Sequence, residues 1–455
     1  MMLQRLRVST NGRFLAREDG SPFFYLGDTA WAIFYRLTRE EADEYLRDRA
    51  ARGFTVIQAV ALNDEFGGMT LPNAYNELAV QDGDPGRPNE AYFAHMDWII
   101  DRAAVLGLYV GLLPTWGDNV NKPARRVFTP ASAVAYGEFF GRRYRNRTNL
   151  LWILGGDSRP DGPEAVETWR ALARGIAIGV TGQEDYTALL LTYHPPGGTF
   201  RPPATSSGEF FHTEPWLAFN MIQSGHRIGN HNWERIAEDY ARQPAKPVLD
   251  GEPCYEDHLD LHDPARERFS AWHVRQRAYW ALFAGACGHT YGHDTIYRFW
   301  IPGREGGPLP QVPWREGLAA AGADDMRHAR ALLESRPFFS RVPDQALLLH
   351  DQAESPVVGI APDLDHAQAT RDRDGGYACI YLSAGRPVTL DLERLTGERL
   401  QGYWYDPRQG NYSLIGTFPR GGHRRFVPPS SGQDQDWVLV LDDVARGFPP
   451  PGVRA

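Results

Sequence analysis

The chain has 455 residues, enough for one large domain and a smaller one, and its 42 % hydrophobic and 23 % charged content is ordinary for a globular protein. Its formal charge of −9 argues against nucleic acid or an anionic membrane as partner, and only Lys122 and Lys246 are lysines, so the arginine excess reads as composition bias. Three cysteines (Cys254, Cys287 and Cys379) are too few and wrongly spaced for a disulfide framework or a zinc site, and no apolar run is long enough to span a membrane.

The N-terminal stretch MMLQRLRVSTNGRFLARED lacks the apolar core of a signal peptide, and a cytoplasmic location is expected unless a leader has been removed. Eight short apolar runs follow: FFYLGD (23–28), TVIQAVAL (55–62), LYVGLLPTW (108–116), LLWILGGD (150–157), ALLLTYH (188–194), AFNMIQSGH (218–226), KPVLDGE (246–252) and GHTYGHD (288–294). Most are nearly apolar throughout, as strands buried on both faces must be. Helical patterns fall between them. In LTREEADEYLRDRAARGF, Thr38 and Glu41 make a capping box, Ala42, Tyr45, Leu46 and Ala50 share a face, and Gly53 ends the helix. FAHMDWIIDRAAVLG ends the same way at Gly107. Thr129 and Pro130 start TPASAVAYGEFF as N-cap and first-turn residue, and Asp263 and Pro264 are expected to do the same for DPARERFSAWHVRQRAYWALFAGACG. A doubly wound sheet would need a glycine-rich phosphate loop, which neither GGM nor GGDS has the spacing to form. The expected fold is an α/β (β/α)8 TIM barrel over residues 1–340.

From about Val342 no helical pattern appears. QALLLH, VVGIAPD, YACIYLS, PVTLDLE, LQGYWYD, YSLIGTF, RRFVPP and DWVLVLDD read as short alternating strands separated by Asp, Gly, Pro and Ser turns. DPRQGNY reads as a hairpin turn and GFPPPGVRA as a frayed tail. This predicts a small antiparallel β-sandwich over residues 341–455.

In a barrel of this kind the reacting groups stand at the C-terminal ends of the strands. Those ends carry Asp28 and Trp31, Asn63 with Asp64 and Glu65, Trp116 and Asp118, Asp157, Tyr193 and His194, Gln223 and His226, Glu252, and finally His289, Tyr291, His293 and Asp294. The ring is rich in carboxylates, aromatics and hydrogen-bonding groups, and poor in cations. A neutral, hydroxylated ligand fits it, that is, a carbohydrate. Two carboxylates on the fourth and seventh strands suit glycosidic cleavage, in which one protonates the leaving oxygen and the other attacks or stabilises the anomeric carbon. Asp157 and Glu252 are therefore the candidate catalytic pair. Asp28, Trp31, Asn63, Trp116, Tyr193, His194, Gln223, His226, His293 and Asp294 are the candidate substrate-binding residues. Plain structural roles stand beside these: turn caps for Asp28 and Asp157, a rim ion pair for Glu252, core packing for Trp31 and Trp116, loop hydrogen bonds for the histidines.

A metal-dependent hydrolase usually opens with a His-x-His pair on its first strand, and this first strand has no histidine, so no metal and no cofactor is expected. Cys254 has no evident histidine partner, which argues against a thiol nucleophile. A non-catalytic carbohydrate-binding barrel is the first alternative and a metal-dependent hydrolase the weaker one, and the presence of both acids favours the glycoside hydrolase. The oligomeric state leaves no mark in these features.

NGRFLAREDGSPFFYLGDTAW, LLWILGGD and KPVLDGEPCYE together resemble the apiosidase-like glycoside hydrolases. GYACIYLSAGRPVTLDLERLTGERLQGYWYDPRQGNYSLIG resembles the β-sandwich, labelled collagen-binding, that typically follows their barrel. The likeness spans nearly the whole chain. It implies Asp157 as acid/base and Glu252 as nucleophile, acting on a plant-type glycan. The wider clan of barrel glycosidases has Asn-Glu at the fourth strand where this chain has Gly156-Asp157. The shorter Asp requires backbone or substrate to come closer, which suits a compact furanose such as apiose. The sandwich is expected to be a packing partner of the barrel, and the collagen label is not carried over. The two glycines of LLWILGGD are expected to turn the chain sharply and leave space beside Asp157 for a sugar ring. Partial burial and the negative Glu252 are expected to raise the pKa of Asp157. A retaining mechanism, the one expected, places the carboxyl groups about 5–5.5 Å apart, and an inverting one about 6.5–9.5 Å.

Overall fold

The computed structural model describes residues 3–62, 69–198, 205–304, 312–349 and 357–453. Within them, eight strands form the wall of a barrel: β1 (Tyr25–Thr29), β2 (Val56–Val60), β3 (Tyr109–Leu113), β4 (Leu150–Gly155), β5 (Leu191–His194), β6 (Asn220–Gln223), β7 (Val248–Asp250) and β8 (Gly288–Tyr291). Each lies inside one of the eight apolar runs, except that β1 passes the end of its run by one residue, Thr29. They pair in parallel in the order β5-β4-β3-β2-β1-β8-β7-β6. The seam between β5 and β6 closes through two hydrogen bonds: Ala218 N–H donates to the Leu191 carbonyl (2.8 Å) and Thr192 Oγ1 to the Phe219 carbonyl (2.7 Å).

The helices between strands are α1 (Arg39–Ala51), α2 (Glu90–Val105), α3 (Pro130–Tyr144), α4 (Pro163–Thr181), α5 (Ser207–Phe211), α6 (Asn232–Ala241) and α7 (Ala271–Phe283), with α8 (Ala321–Glu334) after β8. The Thr38–Glu41 capping box is formed, and Gly53 and Gly107 follow their helices with positive φ. Thr129 caps α3 with Pro130 in its first turn. Asp263 and Pro264 do not start a helix. Asp263 caps a local turn through Ala265 N–H (2.9 Å), and α7 begins after Ser270, which makes its box with His273. The segment before α7 thereby stays at the rim of the barrel, where Asp260 accepts from Ile228 N–H (2.9 Å) and pairs with Arg266 (2.8 Å).

After the barrel come two antiparallel sheets. One has six strands, in the order Arg341–Pro343, Ala367–Asp372, Tyr377–Leu382, Trp437–Asp443, Arg399–Tyr405 and Tyr412–Pro419. The other has three: Leu348–Leu349, Val388–Asp391 and His423–Phe426. VVGIAPD is not a strand in its described part, 357–363, and the strand lies instead at Ala367–Asp372. DPRQGNY does make the hairpin, with Asp406 N–H donating to the Asn411 carbonyl (2.8 Å). The C-terminal tail is docked: Phe448 packs edge-on against Tyr377, and Gly452 N–H donates to Ser335 Oγ (3.2 Å).

The central strands of the six-stranded sheet are buried on both faces, while its edge strand Tyr412–Pro419 is largely exposed. Ala378, Ile380, Leu382, Leu439 and Leu441 join Leu390, Leu400 and Phe426 in the core between the two sheets. The alternate residues Tyr377, Cys379, Tyr381, Val438 and Val440 belong to the barrel's own core. Tyr381 stacks on Tyr279 of α7, with ring centroids 4.7 Å apart. Trp272 donates to the Ser383 carbonyl (2.7 Å) and Trp280 to the His366 carbonyl (3.0 Å). Arg275 of α7, 2 % exposed, binds Asp325 (2.7 Å) and both oxygens of Asp436 (2.8 and 2.9 Å). Removing one partner of such a pair leaves buried charge without compensation. Arg275→Met is expected to destabilise the protein by about 3–5 kcal/mol, read as an earlier urea unfolding transition that barrel and sandwich signals report together.

Candidate functional site

β4 ends on three residues with left-handed backbone: Gly155 (φ +82°), Gly156 (φ +124°) and Asp157 (φ +52°). A Cβ at Gly155 would fall 2.4 Å from the His194 carbonyl oxygen, and one at Gly156 would fall 2.6 Å from the Trp116 indole. The turn is sharp, as expected. The room beside it, however, is filled by Trp116 and the β5 backbone, where the sequence suggested open space for a sugar. The next residue is pinned from below, since the Ser158 carbonyl accepts from Tyr193 Oη (3.1 Å) and Asn121 Nδ2 (3.1 Å). Asp157 is reached by solvent, yet protein crowds it on the other sides. That partial desolvation, and then the charge of Glu252, push its pKa up against the hydrogen bond from Gln223.

Glu252 follows β7 across the mouth and is 5 % exposed. His226 Nε2 lies 3.3 Å from Oε1 and His194 Nε2 lies 3.1 Å from Oε2. The first is a directed hydrogen bond; the second is a close contact out of line for one. The proton on His226 is located by its other nitrogen: Nδ1 accepts from Tyr255 N–H (3.4 Å), so Nε2 carries hydrogen and donates to Glu252. Burial pushes the Glu252 pKa up, but the two imidazoles outweigh it and hold the carboxyl well below the usual carboxylate range. One mouth thus holds one carboxyl biased toward the acid and one biased toward the anion.

Trp31, Trp116, His194, Gln223 and His226 gather at this mouth. Trp31 stands edge-on to Trp116 (5.5 Å) and to His194 (5.5 Å), and its Nε1 donates to Tyr255 Oη (3.2 Å). Asp28 and Tyr193 do not join them. Asp28 is fully buried behind the barrel wall, bound by Arg49 (2.7 Å) and Tyr45 (2.6 Å) of α1. Tyr193 points outward from β5 against Trp169 and Phe211, because its neighbour His194 points inward. His293 accepts from Thr295 and is covered at Gly317, away from Glu252. Asp294 lies further along the rim, bound by Arg268 (3.3 Å). Asn63 lies outside the described residues.

Four side chains at or beneath the mouth carried no expectation. Tyr255, whose Oη takes the Trp31 indole N–H, has its pKa raised by burial and then by the charge of Glu252, and the signal was its place three residues on, in EPCY. His258 and His262 extend from His226 along the rim. Gln58 of β2 holds the Gly251 carbonyl from beneath (2.8 Å), and is itself held by Tyr25 Oη (3.2 Å). Among the described residues no His, Cys, Asp and Glu group is arranged to hold a metal ion, and no helix is long and apolar enough to cross a membrane.

Residues 9–340 match the family model "Apiosidase-like, catalytic domain", and residues 342–442 match "Putative collagen-binding domain of a collagenase". Among solved structures, one named a glycoside hydrolase is 34 % identical over 97 % of each chain, with a TM-score of 0.86. A glycoside hydrolase family 5 protein from Bacteroides vulgatus is 35 % identical over 97 % of this chain and 93 % of its own, with a TM-score of 0.85. No curated protein matches the chain.

The β4 turn is testable by contrast with Gly162, which is also left-handed (φ +86°) but has nothing within 4 Å of where a Cβ would stand. Gly162→Ala is expected to cost only the backbone strain, about 1–3 kcal/mol. Gly156→Ala is expected to cost more and to lower turnover as well, because Trp116 must move; thermal melting and kinetics of both variants check this.

Proposed function

The chain belongs to the apiosidase-like glycoside hydrolases, and on that premise we propose that it cleaves a furanoside of a plant-type glycan, apiofuranoside first among them, with retention of configuration. In this reading Glu252 attacks the anomeric carbon while Asp157 donates its proton to the leaving oxygen. The C–O bond to the leaving group breaks as the Glu252–sugar ester forms. Asp157, now ionised, takes a proton from water, which opens the ester and releases the sugar with Glu252 restored. The observation that carries the reading is the opposite bias of the two carboxyls: Glu252 is kept anionic by His194 and His226, and its charge helps keep the proton on Asp157. The furanose assignment is supported by the short Asp157 side chain on a turn that Trp116 crowds.

A panel of aryl apiofuranoside, arabinofuranoside and common pyranosides tests it. One furanoside is expected to be turned over, with the product's anomeric configuration, followed by NMR, the same as the substrate's. Glu252→Gln is expected to abolish that activity, and turnover surviving the change refutes the nucleophile. Asp157→Asn is expected to lower kcat by about 10²–10⁴-fold on poor leaving groups and by less on activated aryl groups, which leave without a proton.

The pH profile follows from the two directions. Protonated Asp157 is required, so kcat/KM falls as pH rises through its raised pKa; ionised Glu252 is required, so kcat/KM falls only when pH drops below the usual carboxylate range. Asp157→Asn is expected to remove the alkaline limb and leave the acid limb in place.

A further inference from the structure

Three imidazoles form a corner beside Glu252. His226, which donates to Glu252, stacks on His258 with centroids 4.2 Å apart and planes at 21°. His262 stands across both, 4.5 Å from His258 and 5.4 Å from His226, at 87° and 83°. His226 and His258 are buried, and His262 is solvent-exposed. The rim thus ends in one accessible ring braced on two fixed ones.

The backbone that presents this ring is strained. Leu261 (φ +54°) and His262 (φ +56°) are consecutive non-glycine residues in the left-handed region. Such a conformation persists only where its surroundings determine it. Here Leu261 N–H donates to the His226 carbonyl (2.9 Å) and His262 N–H to the Leu259 carbonyl (3.1 Å). Asp260 is clamped by Ile228 N–H and by Arg266. The first of these bonds ties the corner to His226, the residue that holds Glu252.

We propose that His262 is a specificity-determining residue that hydrogen-bonds a ring hydroxyl of the glycone, on the side of the sugar away from the leaving group. The argument rests on Glu252 attacking that sugar. Asp157, on β4, protonates the leaving oxygen, so the leaving group lies on the β4 side. The histidine corner lies on the β6–β7 side and faces the glycone. Its imidazole is near enough to Glu252 to feel the carboxylate charge. Protein crowding the inner side of the ring lowers the His262 pKa to about 4. A neutral imidazole offers one donor and one acceptor, the pair that a sugar hydroxyl satisfies.

The test measures kcat/KM of the full chain on the aryl furanosides and pyranosides above, for wild type, His262→Phe and His262→Asn. Phe keeps a ring on His258 and removes the hydrogen bonds. Asn tolerates the left-handed turn and keeps a donor and an acceptor. Phe is expected to reduce the ratio between the best and second-best glycone about tenfold, with the dependence on the aryl leaving group unchanged, and Asn to recover part of it. Should Phe not hold the turn, His262→Gly removes the ring without backbone strain and reads the same ratio. An unchanged ratio, or an equal loss on every glycone, overturns the assignment. Glu252→Gln in the same assay separates the two readings: if it is inactive while the ratio survives in the Phe variant, only His262 is misassigned, and if it is active, the site reading itself fails. If no aryl glycoside is turned over, saturation-transfer NMR with free apiose, arabinose and xylose makes the same comparison, and a wild type that binds none of them overturns both.

Discussion

Glu252 carries its charge against His194 and His226, whose Nε2 atoms lie 3.1 and 3.3 Å from its oxygens. An arginine in their place would anchor the carboxylate more firmly but would cancel its field. The imidazoles stabilise the anion by one directed hydrogen bond and one close contact, and its charge still acts on its surroundings. That residual charge helps keep a proton on Asp157. Arg49 lies behind the wall, Arg275 and Arg336 at the sandwich junction, and Arg268 and Arg298 along the rim beside Asp294.

The rest of the barrel holds these groups at their separation. Gln58 and Tyr25 reach up through the lumen to the peptide before Glu252. Tyr193 and Asn121 hold the peptide after Asp157 from outside the wall. Gly155 and Gly156 permit an approach of Trp116 and β5 that no side chain would allow. Backbone strain at Asp157 and at Leu261–His262 sits at the barrel mouth, where tight surroundings can maintain it.

Much of this was legible in the sequence, for identifiable reasons. Parallel strands buried on both faces leave apolar runs that no loop imitates, so all eight were found. The capping box at Thr38 is local chemistry and survived folding. Asp263-Pro264 failed because the same dipeptide also starts a rim turn, while the true cap uses His273 where the usual signal is Glu or Gln. Ala367–Asp372 was missed because its buried side chains are small and a polar one, Gln368, is buried with them. At the site, Tyr193 and His194 could not be told apart, since adjacent residues on a strand point to opposite faces and the run does not say which face is the lumen. Asp28 had no local signal for its fate, because its partner Arg49 arrives from the following helix. His258 and His262 lie in a loop whose path is set by long-range contacts.

The six-stranded sheet has one further consequence. Its two faces belong to two different cores, so neither the barrel nor the sandwich owns it. Two family descriptions meet near residue 341, yet a cut there would expose Tyr279, Trp272 and the Arg275 cluster on one side and Tyr377, Tyr381 and Val440 on the other. Shuffling between relatives is thereby constrained. A barrel can accept a new sandwich only if the inherited sheet brings its own tyrosine for α7 and its own carboxylates for Arg275. Any change on α7 is answerable to both halves at once.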